Sequence, residues 1–291
     1  MSVFKLEYRA YEGRVTPRWW RVGVLVRYGL AEAWSSRVTV GLFTLAMLPV
    51  LVDLVVIYLA NNSVARMMVT PGKTFPLTID AKFFLRVLSV QCWLGLVLNA
   101  WVAPRLVSFD LADNALPILL SHPVSRFGYV LGKLLSLFAI LSLVTWVPCL
   151  LLFAYQAYIS PQAWLSANVQ VGFGLVAGSL LWIALVSMIG LALSSWVKWR
   201  MVATGVVFAA VFVPAGVGGV ITGILRTRWG FLLNIPVMMT ELWQRLLGSP
   251  TVMKSDIDLP TGAIAAVLAA GVAVCVAMLN ARIRAREVVR G

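Results

Sequence analysis

The sequence predicts an all-α polytopic membrane protein built from six transmembrane helices. Three observations predict it. Of 291 residues, 61% are hydrophobic and only 12% are charged, about half the roughly 25% charged content of a soluble domain. Mean hydropathy is +0.91. The apolar residues fall into six stretches, 38–60, 83–107, 134–159, 169–196, 201–225 and 261–281, each near or above the ~20 residues that a helix needs to cross a bilayer. Little chain remains for a globular domain. The organisation expected is an N-terminal cytoplasmic segment (1–37), a six-helix transmembrane domain (38–281) and a basic cytoplasmic tail (282–291).

The first stretch begins only after a basic, polar segment and is too long for a signal-peptide core, so no cleavable leader is expected. Ahead of it, Trp19, Val22, Val26, Leu30 and Trp34 share one helical face, with Arg18, Arg21, Tyr28, Glu32 and Ser35 opposite. That pattern predicts an amphipathic helix in the headgroup plane, either a plain anchor or a relay of motion. The second span has a charge-free middle of only 17 residues, 87–103; Arg86 and Arg105 flank it and can snorkel to the two interfaces. Between spans five and six, the apolar patch 229–247 is interrupted by Gly230, Pro236 and Glu241. It is too broken to cross, and predicts short helices re-entering or resting on the outer leaflet. Gly174-xxx-Gly178 and Gly219-xxx-Gly223 would let helices approach closely, by default within one subunit. No repeat of fixed period divides the chain.

The formal charge of +13 invites a nucleic-acid reading, but no basic run is interleaved with stacking aromatics in a polar segment. Topology explains the excess better. Alternating the loops across the membrane puts 16 of the 24 Lys and Arg on one side and 8 on the other. The positive-inside rule then predicts both termini in the cytoplasm.

The chemistry available is sparse. His122 is the single histidine, which starves bis-histidine haem, histidine metal sites and Ser-His-Asp catalysis of parts. Cys92, Cys149 and Cys275 are far apart in apolar stretches, so neither a disulfide framework nor a CxxC site is expected. The run Gly128 to Lys133, GYVLGK, is one residue short of a phosphate loop and is followed by Leu134, while Gly72-Lys73-Thr74 lacks the upstream glycine. No catalytic, cofactor-binding or metal site is expected in this chain. Asp53 is the only carboxylate well inside a span, where an ionised side chain costs about 2.5–3.5 kcal/mol on insertion scales. It either senses ions or protons, reaches the outer interface near Asn61-Asn62-Ser63, or pairs with a residue such as Arg66 or Lys82.

The most informative stretch is 108–133, SFDLADNALPILLSHPVSRFGYVLGK, between spans two and three on the cytoplasmic side. Ser108, Asp110 or Asp113 can cap a helix here, and Leu111, Ala115, Leu116 and Leu119 give it an apolar side. Pro117 suits a first turn if Asp113 or Asn114 is the cap, and Pro123 ends the element. Such a helix either docks into a groove on another protein or lies against lipid.

This stretch resembles the loop of ABC-2 class permeases of ABC transporters, where an acidic residue and an apolar helix precede a pattern like LLS-x-P-[VI]-S-R and a Tyr-Val-Leu-Gly-Lys run into span three. Here the matching residues are Asp110, Leu119-Leu120-Ser121, Pro123-Val124-Ser125-Arg126 and Tyr129-Val130-Leu131-Gly132-Lys133. The motif covers 26 of 291 residues, and the six-span layout, N-terminal amphipathic helix and interrupted outer loop are similar too. His122 departs from it, an arginine being common there. The resemblance implies a permease subunit that pairs with a second permease, identical or not, and binds ATP-binding cassette subunits carrying ATP and magnesium. It also implies a coupling helix at 110–120, formed by Asp110, Leu111, Asp113, Asn114, Ala115, Leu116, Leu119 and Leu120. Ser121, Pro123, Ser125, Arg126, Tyr129, Gly132 and Lys133 complete the cytoplasmic motif, with Arg126 and Lys133 either anchoring at the interface or pairing with acidic groups of the ATPase. Residence in a bacterial plasma membrane follows from the same resemblance. The alternative is an ion-coupled carrier or a non-transporting membrane scaffold.

Overall fold

The computed structural model describes residues 17–69, 78–112, 125–197, 199–249 and 259–282, and every regular element among them is a helix. Six helical segments are long and apolar enough to cross a membrane: Arg37–Asn61, Ala81–Val107, Phe127–Ile159, Ala163–Ser194, Arg200–Leu225 and Thr261–Arg282. The chain is a multi-pass, all-α membrane protein.

Local chemistry sets the boundaries. Helix α1 (Arg18–Trp34) hands over to α2 (Arg37–Asn61) at Ser36, whose hydroxyl accepts from the Thr39 amide at 3.5 Å. A short α3 (Ser63–Val69) follows. Asp80 caps α4 (Ala81–Ala112) by accepting from the Phe83 amide at 3.1 Å. The third span starts eight residues earlier than hydropathy places it, because Ser125 caps α5 (Arg126–Val144) by accepting from the Gly128 amide at 3.0 Å. That span breaks at Thr145 before continuing as α6 (Trp146–Ile159). Pro148 explains the break: it lacks an N–H and its ring collides with the carbonyl four residues back. The fourth span, α7 (Gln162–Ser194), also starts early and bends at Asn168, where φ is −117° and ψ is 15°. Asn168 Nδ2 donates to the Trp164 carbonyl at 2.8 Å. Span five is α8 (Arg200–Leu225), which ends at Arg226 in the left-handed region. A 3₁₀ turn (Arg228–Leu233) and α9 (Ile235–Leu247) precede the last span, α10 (Thr261–Arg282). Gly248 ends α9 with φ of 63°, a conformation that only glycine adopts without strain.

Helices α4 and α7 form the centre. In each, 67% of the most apolar window is buried, against 17% in α2, α8 and α10. Lipid tails are as apolar as leucine, so helices associate in a bilayer through close packing and polar bonds. Both operate here. Trp182 Nε1 donates to the Cys92 carbonyl at 2.9 Å and Asn99 Nδ2 to the Val186 carbonyl at 2.8 Å, joining α4 to α7. Gln91 Nε2 donates to the Ala46 carbonyl at 3.2 Å, joining α4 to α2. Cys92, Cys149 and Cys275 are unbridged and buried.

The interrupted stretch between spans five and six folds back as amphipathic α9, seated on α7. Trp243 Nε1 donates to the Gly178 carbonyl at 3.1 Å. A Cβ on Gly174 would stand 2.8 Å from the Leu246 carbonyl oxygen, and one on Gly178 would stand 2.6 Å from Trp243 Cδ1. The first glycine pair therefore serves packing inside the subunit, as expected. The second does not. Gly219 and Gly223 have nothing within 4 Å of a built Cβ; Gly218 makes the close approach instead, against the backbone of Gly230.

Helix α1 keeps Val22, Val26, Leu30 and Trp34 of its predicted apolar face partly buried, but departs from the wheel at its start and at its closest contacts. Trp19, assigned to the apolar face, is 76% exposed, whereas Gly29 and Ala33 are buried and Leu25 is partly so. The seam follows small residues, with Gly29-xxx-Ala33 on α1 meeting Gly132-xxx-Ser136 on α5. A Cβ on Gly29 would stand 2.5 Å from Ser136 Oγ, and one on Gly132 would stand 2.8 Å from Leu25 Cβ. Ser136 Oγ bonds the Gly132 carbonyl at 2.9 Å and the Val26 carbonyl at 3.3 Å. Gly29→Val is expected to cost about 1–3 kcal/mol, the usual overpacking penalty. Gly23, with open space around it, is expected to gain about 0.5–1 kcal/mol as Gly23→Ala. Thermal unfolding of both variants in the same micelle checks the opposite signs.

Candidate coupling junction and intramembrane ion pair

The candidate coupling segment joins α4 to α5, two helices that pack on each other. Helix α4 runs unbroken past the end of its apolar window at Val107 to Ala112. Ser108 and Asp110 therefore lie within a continuing helix and do not start a new one, because the apolar run through Leu106, Val107, Phe109 and Leu111 contains no breaker. Asp110 and Leu111 belong to that last turn. Asp113, Asn114, Ala115, Leu116, Leu119, Leu120, Ser121 and Pro123 lie outside the described residues.

From Ser125 the motif is described again, and it is structural in detail. Ser125 caps α5 and Arg126 opens it. Tyr129 is 2% exposed, and Lys133, at 7%, carries its ammonium 5.7 Å from the Tyr129 ring centroid. A cation over a tyrosine face is worth about 0.5–2 kcal/mol. Gly132 is the point where α1 touches down. The second half of the motif thus builds the contact between α5 and the N-terminal helix. Two facing small-xxx-small pairs signal that contact in the sequence, although a wheel drawn for large apolar residues passes over them.

On the other half of the molecule, Asp53 of α2 is 7% exposed and meets Arg86 of α4, with Nη2 2.6 Å from Oδ1. That partner is a residue other than the Arg66 or Lys82 named from the sequence; the Arg66 side chain lies outside the described ones. Arg86, read from the sequence as a snorkelling flank, reaches the carboxylate from a half-exposed position and lies 5.0 Å over the Phe83 ring. An ion pair in hydrocarbon neutralises both charges where neither alone would be tolerated. The pair closes one end of an apolar groove of about 480 Å³ between α2 and α4, lined by Leu45, Leu48, Val52, Val90 and Leu94. Among the described residues, no three His, Cys, Asp or Glu side chains gather as a metal site.

Compared with models of known protein families, the chain matches none, and comparison with curated proteins gives no match either. The class that the fold defines is therefore a six-span integral membrane protein.

Removing one charge of a buried pair is costly because the other stays desolvated. Arg86→Gln is expected to destabilise the protein by about 2–3 kcal/mol, below the 3–5 kcal/mol of a fully buried pair because Arg86 is half exposed. Combining it with Asp53→Asn should recover most of that loss. Unfolding midpoints of the single and double variants, compared in one double-mutant cycle, measure the coupling.

Proposed function

We propose that the chain is the permease subunit of an ATP-driven exporter of the ABC-2 class, working as a homodimer or heterodimer with two ATP-hydrolysing subunits on its cytoplasmic side. One observation carries this reading: the run from Asp110 to Lys133, with its acidic residue, apolar stretch, Leu-Leu-Ser, Pro-Val-Ser-Arg and Tyr-Val-Leu-Gly-Lys, lies between spans two and three. Both termini and that run would face the cytoplasm of a bacterial cell, in keeping with the 16-to-8 division of basic residues.

The geometry supports a mechanical reading of that run. A force on 113–124 would enter α4 and α5 together. Helix α4 leads it to the bundle centre through its bonds to α7, and α5 leads it to α1 through Gly132 and Ser136. ATP-driven closure of the partner subunits would carry the docked segment inward, and the rigid spans would pass that displacement to a path between two permeases. The carrier alternative loses support from Asp53, because its carboxylate is already held by Arg86 and the sequence has no inverted repeat.

Replacing Leu116 and Leu119 with Asp tests the assignment. Two apolar contacts would be lost, at roughly 1.5–3 kcal/mol per leucine, and two carboxylates would be left without partners. Recovery of the ATPase subunit in a pulldown at equal expression is expected to collapse. Unchanged recovery together with unchanged transport would show that 110–120 does not couple.

A further inference from the structure

Trp101 and Arg105 lie four residues apart on one face of α4, just before the end of span two at Val107. Arg200, the first residue of α8, lies flat on the Trp101 ring, its guanidinium carbon 4.0 Å from the centroid. Arg105 Nη2 donates to Ser35 Oγ at 3.0 Å, which brings the end of α1 to the same place. Every polar group that these three side chains offer is a donor. Trp101 Nε1, Arg105 Nε, and Arg200 Nε and Nη2 are all buried without an acceptor. Among the described residues, no carboxylate pairs with Arg105 or Arg200. The first turn of α8 adds positive potential, since its N-cap, Trp199, supplies no side-chain acceptor.

Buried donors without acceptors are costly, and more so when charged. Two guanidinium groups and an indole, each with at least one N–H in want of an acceptor, match the oxygens of a phosphate diester better than a lone carboxylate. We infer that Trp101, Arg105 and Arg200 form a binding site for the phosphate of an anionic phospholipid. Its depth points to lipid as the source: Arg105 lies two residues inside the end of span two and Arg200 begins span five, so both sit at headgroup level, with α4 and α8 descending into hydrocarbon alongside the tails. The division of basic residues puts this face in the cytoplasm, where anionic lipid is concentrated. One headgroup here would tie together α1 through Ser35, α4 through Arg105 and α8 through Arg200. The site does not depend on the permease reading.

Native mass spectrometry of the purified chain, titrated with phosphatidylglycerol and with phosphatidylcholine, tests this. Wild type should hold one phosphatidylglycerol roughly 30-fold more tightly than phosphatidylcholine, the factor expected for two arginines at a membrane surface. Arg105→Gln combined with Arg200→Gln should abolish that preference. Arg27→Gln, which removes an exposed charge from α1, should keep it. Should the double glutamine variant not fold, Trp101→Phe keeps an aromatic face but not the indole N–H and should weaken the preference severalfold. Equal binding of the two lipids by wild type, or an undiminished preference in the variants, would overturn the site. Saturation of the same site by millimolar inorganic phosphate, displacing the lipid without any need for tails, would overturn the assignment to a lipid.

Discussion

The contact that fixes where the third span begins is the close crossing of two backbones, α1 over α5. Gly29 and Ala33 on one helix and Gly132 and Ser136 on the other remove the side-chain volume that would hold them apart. Dispersion forces fall off within an ångström of contact, so only small residues let that attraction work in a medium where burying apolar surface gains little. Ser136 adds a bond to the Val26 carbonyl. The consequence is positional. The start of the third span is held by the N-terminal helix as well as by the bundle, and the segment that precedes it leaves from a fixed point.

The second constraint is polar satisfaction. Without water in hydrocarbon, the few polar side chains in the spans must find partners in the protein. Gln91, Asn99 and Trp182 donate to carbonyls of neighbouring helices, leaving Gln91 Oε1 and Asn99 Oδ1 without a donor, and Asp53 is held by Arg86. These bonds pin α4 to α2 and α7, which explains why α4 is central although its hydropathy is the lowest of the six at 1.5. Where donors at the end of a span find no protein acceptor, as with Arg105 Nε and with Nε and Nη2 of Arg200, the proposed supply is a lipid headgroup.

Hydropathy made the six spans legible, and it located the short helices between spans five and six because Gly230 and Pro236 interrupt an apolar run. It misplaced the starts of spans three and four. Ser125 and Pro161 begin those helices in segments that are polar enough to fall below a span's hydropathy, whereas backbone capping is indifferent to hydropathy. The face of α1 is legible in part: Val22, Val26, Leu30 and Trp34 are partly buried as the wheel predicts, but Trp19 is exposed and the wheel passes over buried Gly29 and Ala33, because it rewards large apolar side chains while helix crossings select small ones. The Asp53 partner lies 33 residues away on another span, a separation that no local pattern encodes. Gly174 and Gly178 were legible as a close approach, but Gly219 and Gly223 share their spacing and touch nothing, since a spacing motif does not say what lies opposite.

The most direct test of this account is a cysteine scan of α1 in lipid, reading oxygen and aqueous-reagent accessibility of a spin label at each position. Packing against α5 predicts that Leu25, Gly29 and Ala33 are shielded from both reagents, while Val24 and Tyr28 are open, repeating with a helical period. A helix that only rests on lipid gives another pattern. High oxygen accessibility at Val22, Val26 and Leu30, with Leu25 and Ala33 no more protected than their neighbours, would contradict the docked helix and the mechanical connection built on it.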